Sequence, residues 1–207
     1  MYPWHGPILA AHGFVVGCAS YRFSSVAPFP AQLHDAKAAI RWLRANAATL
    51  GVDPDLIGAW GDSAGGHLAA LLATTADRTD LEGNCGSPGW SNKVQAAAIR
   101  CAPTDFRSYR PEPWAAEILD TLFGGPPADT ADLRELASPI VHVTSNAAPF
   151  LIVHGTQDET VPFAQAQLMT DRLTHHGVDV TLQPSTESTT TSRPTSTPRG
   201  DQSRGQR

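Results

Sequence analysis

Short runs of apolar, β-type residues alternate with segments of helical periodicity between residues 14 and 182. This alternation is typical of a parallel sheet flanked by helices, because each parallel strand needs a crossover that returns the chain to the same edge. The pattern predicts five strands, at residues 14–20, 56–60, 94–101, 150–154 and 178–182. We therefore expect an α/β fold.

Helical periodicity is clearest between the first two predicted strands. A helix is predicted from Pro30 to a closing Gly51, and its apolar residues recur every three or four positions. These are Leu33, Ala36, Ile40, Leu43, Ala47 and Leu50. Further helices are predicted at residues 67–74 and 163–175, each joining two strands.

Residues 105–145 interrupt the alternation with a stretch rich in proline and glycine that contains two short helical patterns, 113–123 and 131–137. We expect this insertion to cap the carboxyl edge of the sheet, where ligands bind in open α/β sheets. Its apolar residues Trp114, Ile118, Leu122 and Phe123 are candidates for lining a substrate pocket. The alternative is that they anchor the insertion to the body of the domain.

The composition changes at Pro184. From there to Arg207 the chain contains no Val, Ile, Leu, Met, Phe, Trp or Tyr. A segment of this kind cannot bury enough apolar surface to offset the entropy lost on ordering. The sequence therefore predicts one domain over residues 1–183 and a disordered tail over 184–207.

The formal charge of −5 argues against nucleic acid as a partner, since an acidic surface repels phosphates. No apolar run approaches the roughly 18 residues that span a bilayer. The three cysteines cannot form a disulfide framework, and no leader peptide is recognisable at Met1, so a cytoplasmic location is expected. No histidine pair has metal-ligand spacing, and neither a metal nor another cofactor is expected.

The candidate chemistry lies at Gly61-Asp62-Ser63-Ala64-Gly65, which matches the G-x-S-x-G pattern between a predicted strand and a predicted helix. A serine hydroxyl is a weak nucleophile, so an enzyme that uses one exposes it on a sharp turn. Gly61 and Gly65 would leave room for that turn and Ser63 would be the nucleophile. The backbone N–H of Ala64 would bind a developing oxyanion.

A carboxylate that could complete the site follows the strand at 150–154. Asp158 lies in a loop between this strand and Val161-Pro162, at the edge of the sheet that also carries Ser63. We interpret Asp158 as the acid of a Ser-His-Asp triad, whose members occur in the order Ser, acid, His in this kind of fold. The alternative is an acidic residue that stabilises the N-terminus of the next helix.

With these residues in place, the chain resembles the α/β-hydrolase superfamily, specifically the acetyl esterase/lipase branch that includes hormone-sensitive-lipase-like and carbohydrate-acyl esterases. The shared segments are Gly13-Phe14-Val15-Val16, Tyr21-Arg22, Phe29-Pro30-Ala31 with Asp35, Ala39-Ile40-Arg41-Trp42-Leu43, Gly51-Val52-Asp53-Pro54, the nucleophile elbow Gly61-Asp62-Ser63-Ala64-Gly65 continuing through Gly66-His67-Leu68-Ala69, Pro103-Thr104-Asp105-Phe106, Ser138-Pro139-Ile140, and His154-Gly155 with Asp158 and Val161-Pro162. The resemblance implies a serine carboxylesterase for small-molecule esters of short acyl groups, with Ser63 and Asp158 in the triad.

Two parts of the family pattern are missing. The family has a His-Gly-Gly oxyanion loop before its equivalent of residues 14–20, whereas this chain has His5-Gly6-Pro7, which we interpret as the entry to a helix. The family's triad histidine follows the equivalent of strand 178–182, but no histidine occurs here after His176. We expect a chain truncated at both ends, without its N-terminal strands and with impaired activity. The alternative is a catalytically silent remnant or binding module.

Overall fold

The computed structural model describes residues 5–186. Its centre is a parallel sheet of four strands in the order β1-β2-β3-β4. The strands are β1 Gly58–Asp62, β2 Ala96–Arg100, β3 Phe150–Gly155 and β4 Val180–Ser185. This arrangement confirms the predicted α/β architecture.

Seven α-helices accompany the sheet in the described part of the chain. They are α1 His5–Ala11, α2 Ala31–Ala45, α3 Ala47–Leu50, α4 Ala64–Thr74, α5 Pro113–Phe123, α6 Ala131–Leu136 and α7 Ala164–His175. Short 3₁₀ turns occur at Thr79–Leu81 and Pro139–His142. The first turn of α1 contains His5 to Pro7, so the interpretation of these residues as a helix entry is confirmed.

The prediction of a first strand at residues 14–20 is wrong. These residues pair with no strand within residues 5–186, and Phe14 and Val15 are 62% and 58% exposed. A strand exists only where a neighbour accepts its backbone hydrogen bonds, and the outer edge of β1 has no partner strand within the same residues. The sheet therefore has one strand fewer than the hydrophobic pattern predicts.

The core of the protein lies against one face of the sheet. Ile99 and Ile152 are buried among residues of α4 and α7, whereas the alternate positions Trp60 and Leu151 are 46% and 39% exposed. Leu71 of α4 is fully buried in the same cluster. This packing fixes α4, and with it the turn that joins β1 to α4.

Helices α2 and α3 bury Leu33 and Ala47 of the predicted apolar face, but charged residues take other buried positions. Lys37, Arg41 and Arg44 are buried, while Leu50 of α3 is exposed. The Lys37 Nζ donates to the Thr75 carbonyl at 2.6 Å, and the arginines bind carbonyl groups of residues 54 and 82–93. Buried cations require such partners, and apolar periodicity alone could not reveal them.

The insertion at 105–145 contains the two predicted helices, now α5 and α6. Phe123 anchors it, because its ring packs against Phe29 outside the insertion, and Arg134, which lies 4.6 Å over the Phe123 ring, joins α6 to α5. The last strand, β4, extends to Ser185, so the predicted boundary at 183 falls two residues inside it. The remaining tail, 187–207, lies outside the described residues.

Candidate active site

Ser63 forms a strained corner between β1 and α4. Its backbone has φ 49° and ψ −118°, a region that residues with a side chain rarely occupy. Such conformations cost about 1–3 kcal/mol and persist where the surrounding structure enforces them, most often at functional sites. Ser63 is exposed, as a nucleophile must be to meet a substrate.

The glycines around this corner have different roles. A Cβ on Gly61 would lie 2.2 Å from backbone atoms of Gly65, and a Cβ on Gly66 would lie 2.9 Å from the Cβ of Ala102. A Cβ on Gly65 would meet nothing within 4 Å apart from its own helix and chain neighbours. The steric requirement predicted for Gly61 and Gly65 therefore applies to Gly61 and Gly66, and the prediction for Gly65 is wrong.

The oxyanion role of Ala64 stays a prediction that the geometry favours. Ala64 is the first residue of α4, an 11-residue helix. The first N–H groups of a helix have no carbonyl partner within it, and the helix dipole adds partial positive charge there. A negative charge that develops beside Ser63 would be stabilised at this point.

Asp158 lies in the loop that follows β3, and its side chain is fully buried. Its Oδ1 accepts hydrogen bonds from the N–H groups of Thr160 and Val161, both at 2.9 Å. Its Oδ2 lies 3.8 Å from Nε2 of His154. These contacts hold the carboxylate in one orientation.

Ser63 and Asp158 follow β1 and β3, the two neighbours of β2, at the same edge of the sheet. Two strand spacings separate them laterally, about 10 Å. A triad needs a third group to bridge such a gap, because a hydrogen bond spans only about 3 Å. The structure thus brings the predicted nucleophile and acid to one edge but not into contact.

The two best-placed histidines are bound elsewhere. His67 is buried in α4, and its Nε2 lies 2.7 Å from the Ala137 carbonyl oxygen. Burial lowers the pKa of His67 to about 4, since a buried imidazolium loses its hydration. His154 is also buried, with its Nε2 2.7 Å from the Val161 carbonyl oxygen. Both contacts support backbone structure.

Tyr109 joins the insertion to the Asp158 loop. Its hydroxyl donates to the Thr160 carbonyl at 2.7 Å. Burial, together with the nearby charge of Asp158, raises the pKa of Tyr109 to about 12, so the hydroxyl stays protonated and remains a donor. Nothing in the sequence pattern around Tyr109 distinguishes it from an ordinary core aromatic residue.

The four predicted pocket residues divide into two groups. Phe123 is 3% exposed and belongs to the core, so its position matches the anchoring alternative. Trp114 and Ile118 are 55% and 53% exposed on the outer side of α5, and Leu122 is half-buried. For these three residues the pocket role stays a prediction.

Two cavities in the described residues lie away from Ser63. One, of about 370 Å³, is lined by Arg78, Asp132, Glu135, Leu136, Val141 and His142. The other, of about 120 Å³, lies beside Arg41 and the loop 82–89.

No group of three or more His, Cys, Asp or Glu side chains within residues 5–186 could hold a metal ion. No helix in that range is long and apolar enough to cross a membrane.

One residue at the elbow was missed by the sequence analysis. Arg100, the last residue of β2, is paired in register with Asp62, the last residue of β1. Its guanidinium donates to both carboxylate oxygens of Asp62, at 3.1 and 3.2 Å. The only sequence signal is a single charge that closes the apolar run Ala96–Arg100.

Comparison with known proteins places this geometry in a family. The model of the BD-FAE family matches residues 5–173. The chain is 33% identical to the probable carboxylic ester hydrolase LipM of Mycobacterium tuberculosis over 172 residues, which covers 80% of this chain and 38% of LipM. It is 36% identical to esterase LipC of the same organism, again over 80% of this chain and over 41% of LipC. It thus spans about two fifths of these relatives.

Solved structures agree with the sequence matches. A truncated carbohydrate esterase from gut microbiota superposes with a TM-score of 0.75 at 31% identity, over 80% of this chain and 63% of that one. The propionate-bound thermophilic esterase Est2 of Thermogutta terrifontis superposes with a TM-score of 0.63 at 34% identity, over 80% and 58%. This chain therefore belongs to the BD-FAE family and has an α/β-hydrolase fold.

Proposed function

We propose that this chain is a carboxylic ester hydrolase of the serine type that acts on short acyl esters. The observation that carries the proposal is the strained backbone of Ser63 at the N-terminus of α4, on the same sheet edge as the buried carboxylate of Asp158. Esterase relatives such as LipM and LipC support the reaction class. The propionate- and butyrate-bound structures of Est2 support a short acyl group.

In the proposed reaction, Ser63 Oγ attacks the ester carbonyl carbon while a base accepts the hydroxyl proton. The carbonyl oxygen gains negative charge, which the Ala64 N–H binds. The C–O bond to the alcohol breaks, the base returns its proton to the alcohol, and the acyl group stays on Ser63. Water then hydrolyses this acyl-enzyme by the same steps, and Asp158 orients the base throughout.

We further infer that the chain as sequenced works slowly. No histidine follows His176. The Nε2 atoms of His67 and His154 are hydrogen-bonded to backbone carbonyl oxygens. In subtilisin, loss of the triad histidine alone costs about 10⁶ in kcat and leaves roughly 10³–10⁴ over the uncatalysed rate. The chain is therefore expected to be a weak esterase, in which attack by Ser63, with solvent accepting its proton, adds to that residual rate.

Hydrolysis of p-nitrophenyl acetate tests the proposal. The Ser63→Ala variant is expected to lose the part of the rate above buffer that attack by Ser63 contributes, and to keep the part that comes from binding and the oxyanion site. Ser145→Ala, at another exposed serine, is the matched control and should hydrolyse at the parent rate. If all three proteins release p-nitrophenol equally, Ser63 is not a nucleophile in this chain.

A second candidate is a hydrolase-fold module that binds esters without turning them over. The missing histidine and the backbone contacts of His67 and His154 favour it. It predicts equal rates for the parent chain and Ser63→Ala, together with saturable binding of a short-chain ester, measured by calorimetry. The proposed esterase instead requires a rate difference, so the two measurements separate the candidates.

A further inference from the structure

Arg100 contacts the nucleophile elbow at two places. Its backbone carbonyl accepts the N–H of Ser63 at 2.8 Å, which extends the β1–β2 ladder one residue beyond the end of β1. Its guanidinium forms a two-point contact with the carboxylate of Asp62. One residue of β2 therefore holds both the nucleophile and the residue before it.

The same carbonyl lies against the start of α4. A Cβ placed on Gly66 would come within 3.2 Å of the Arg100 carbonyl oxygen. The corner at Ser63, with its positive φ, is thus pressed between the end of β2 and the first turn of α4. A strained conformation of this kind persists only while its surroundings restrict it, and Arg100 supplies part of that restriction.

The charge of Arg100 matters as well as its shape. Asp62 carries its negative charge one residue before the nucleophile Ser63, and its side chain is only 12% exposed. An unpaired carboxylate there would oppose the oxyanion, because like charges repel strongly where water is scarce. The guanidinium of Arg100 neutralises this carboxylate.

We propose that Arg100 is a positioning residue for Ser63, holding the elbow through Asp62 and offsetting the Asp62 charge. This inference rests on the proposed role of Ser63 as a nucleophile. Arg100 touches no reacting atom and acts through its neighbours. Its side chain is 40% exposed, so the ion pair should contribute little to global stability.

The chain provides a matched control in Arg22 and Asp35. This pair has the same two-point geometry, and its side chains are 44% and 18% exposed, against 40% and 12% for Arg100 and Asp62. Arg22 lies before α2, and its contacts are with Asp35 and the Ala31 carbonyl of that helix. Arg22→Gln therefore removes an equivalent ion pair without touching the elbow.

Two kinetic measurements report on the elbow. One is kcat and KM for the Ser63-dependent hydrolysis of p-nitrophenyl acetate. The other is the rate of labelling by a fluorophosphonate, in which the Ser63 Oγ–P bond forms, the P–F bond breaks and the proton passes to solvent. Arg100→Gln is expected to lower kcat and the labelling rate about tenfold with KM unchanged, since misplacement of a nucleophile acts on the reacting state. Arg100→Lys keeps the charge but not the two-point geometry of the guanidinium, so it should recover part of the lost kcat and labelling rate.

A double variant separates charge from geometry. Adding Asp62→Asn to Arg100→Gln removes the unpaired carboxylate and is expected to restore part of the lost rate. If the double variant is as slow as Arg100→Gln, the proposal that Arg100 offsets the Asp62 charge is wrong. Only the role of Arg100 in holding the elbow then stands. If Arg100→Gln and Arg22→Gln both match the parent in kcat while Ser63→Ala lowers the rate, the whole inference is overturned and the proposed function survives.

Hydrogen exchange gives a readout that needs no catalysis. In Arg100→Gln, amide exchange in the peptide containing Ser63 is expected to rise about fivefold, because the elbow opens locally. Exchange in β3 and α7, and the thermal midpoint, should match those of Arg22→Gln. If Ser63→Ala leaves hydrolysis unchanged, the proposed function fails. In that case only hydrogen exchange tests the role of Arg100. Unchanged exchange at the elbow in Arg100→Gln overturns the positioning role.

Discussion

Replacing Gly61 by alanine is expected to lower the free energy of unfolding by about 3 kcal/mol or more. The added Cβ would lie 2.2 Å from the backbone carbon and oxygen of Gly65 and 2.7 Å from the backbone nitrogen of Gly66. All three atoms belong to the main chain, so no side-chain rotation can relieve the overlap. Either α4 must move away from β1 or the corner at Ser63 must open. Urea unfolding followed by circular dichroism measures the loss.

Gly65→Ala is the matched control, because it adds the same methyl group four residues away. The Cβ would meet nothing within 4 Å beyond its immediate neighbours, and Gly65 lies in the first turn of α4. Alanine is favoured over glycine in helices by up to about 1 kcal/mol, so the control is expected to be as stable as the parent chain or slightly more stable. Equal losses in both variants would contradict the assigned packing of Gly61.

The sequence predicted those parts of the molecule whose signals are local. The G-x-S-x-G motif lies between a strand and a helix within a few residues, and the structure has Ser63 at that corner. Helix α5 has the predicted bounds, and α7 begins one residue later than predicted. Asp158 could be placed at the sheet edge because it directly follows a buried strand.

Features that depend on distant residues could not be predicted. Residues 14–20 have a strand-like composition, but pairing depends on a neighbour that the sequence of the segment does not specify. The burial of Lys37 and Arg41 depends on carbonyl groups some 40 positions further along the chain. Likewise, Arg100 meets Asp62 only because β2 and β1 pair in register.

The buried histidine of α4 leads to a second large effect, a loss of stability in mild acid. Burial lowers the pKa of His67 from 6.5 to about 4, so the unfolded chain binds a proton between these values that the folded chain excludes. The contribution of His67 is complete above pH 6.5 and declines as the pH falls towards 4. The decline amounts to about 2 kcal/mol between pH 7 and pH 5, at 1.4 kcal/mol per pKa unit.

Comparison of the parent chain with His67→Gln isolates this contribution. Glutamine can keep a hydrogen bond to the Ala137 carbonyl but does not titrate. Between pH 7 and pH 5, the free energy of unfolding should therefore fall by about 2 kcal/mol less in His67→Gln than in the parent chain. Burial also lowers the pKa values of His142 and His154, so the variant should retain a slope of the same sign. His175→Gln, at an exposed position on α7, should follow the parent chain. Parallel pH profiles for the parent chain and His67→Gln would show that His67 takes up its proton without unfolding the elbow helix.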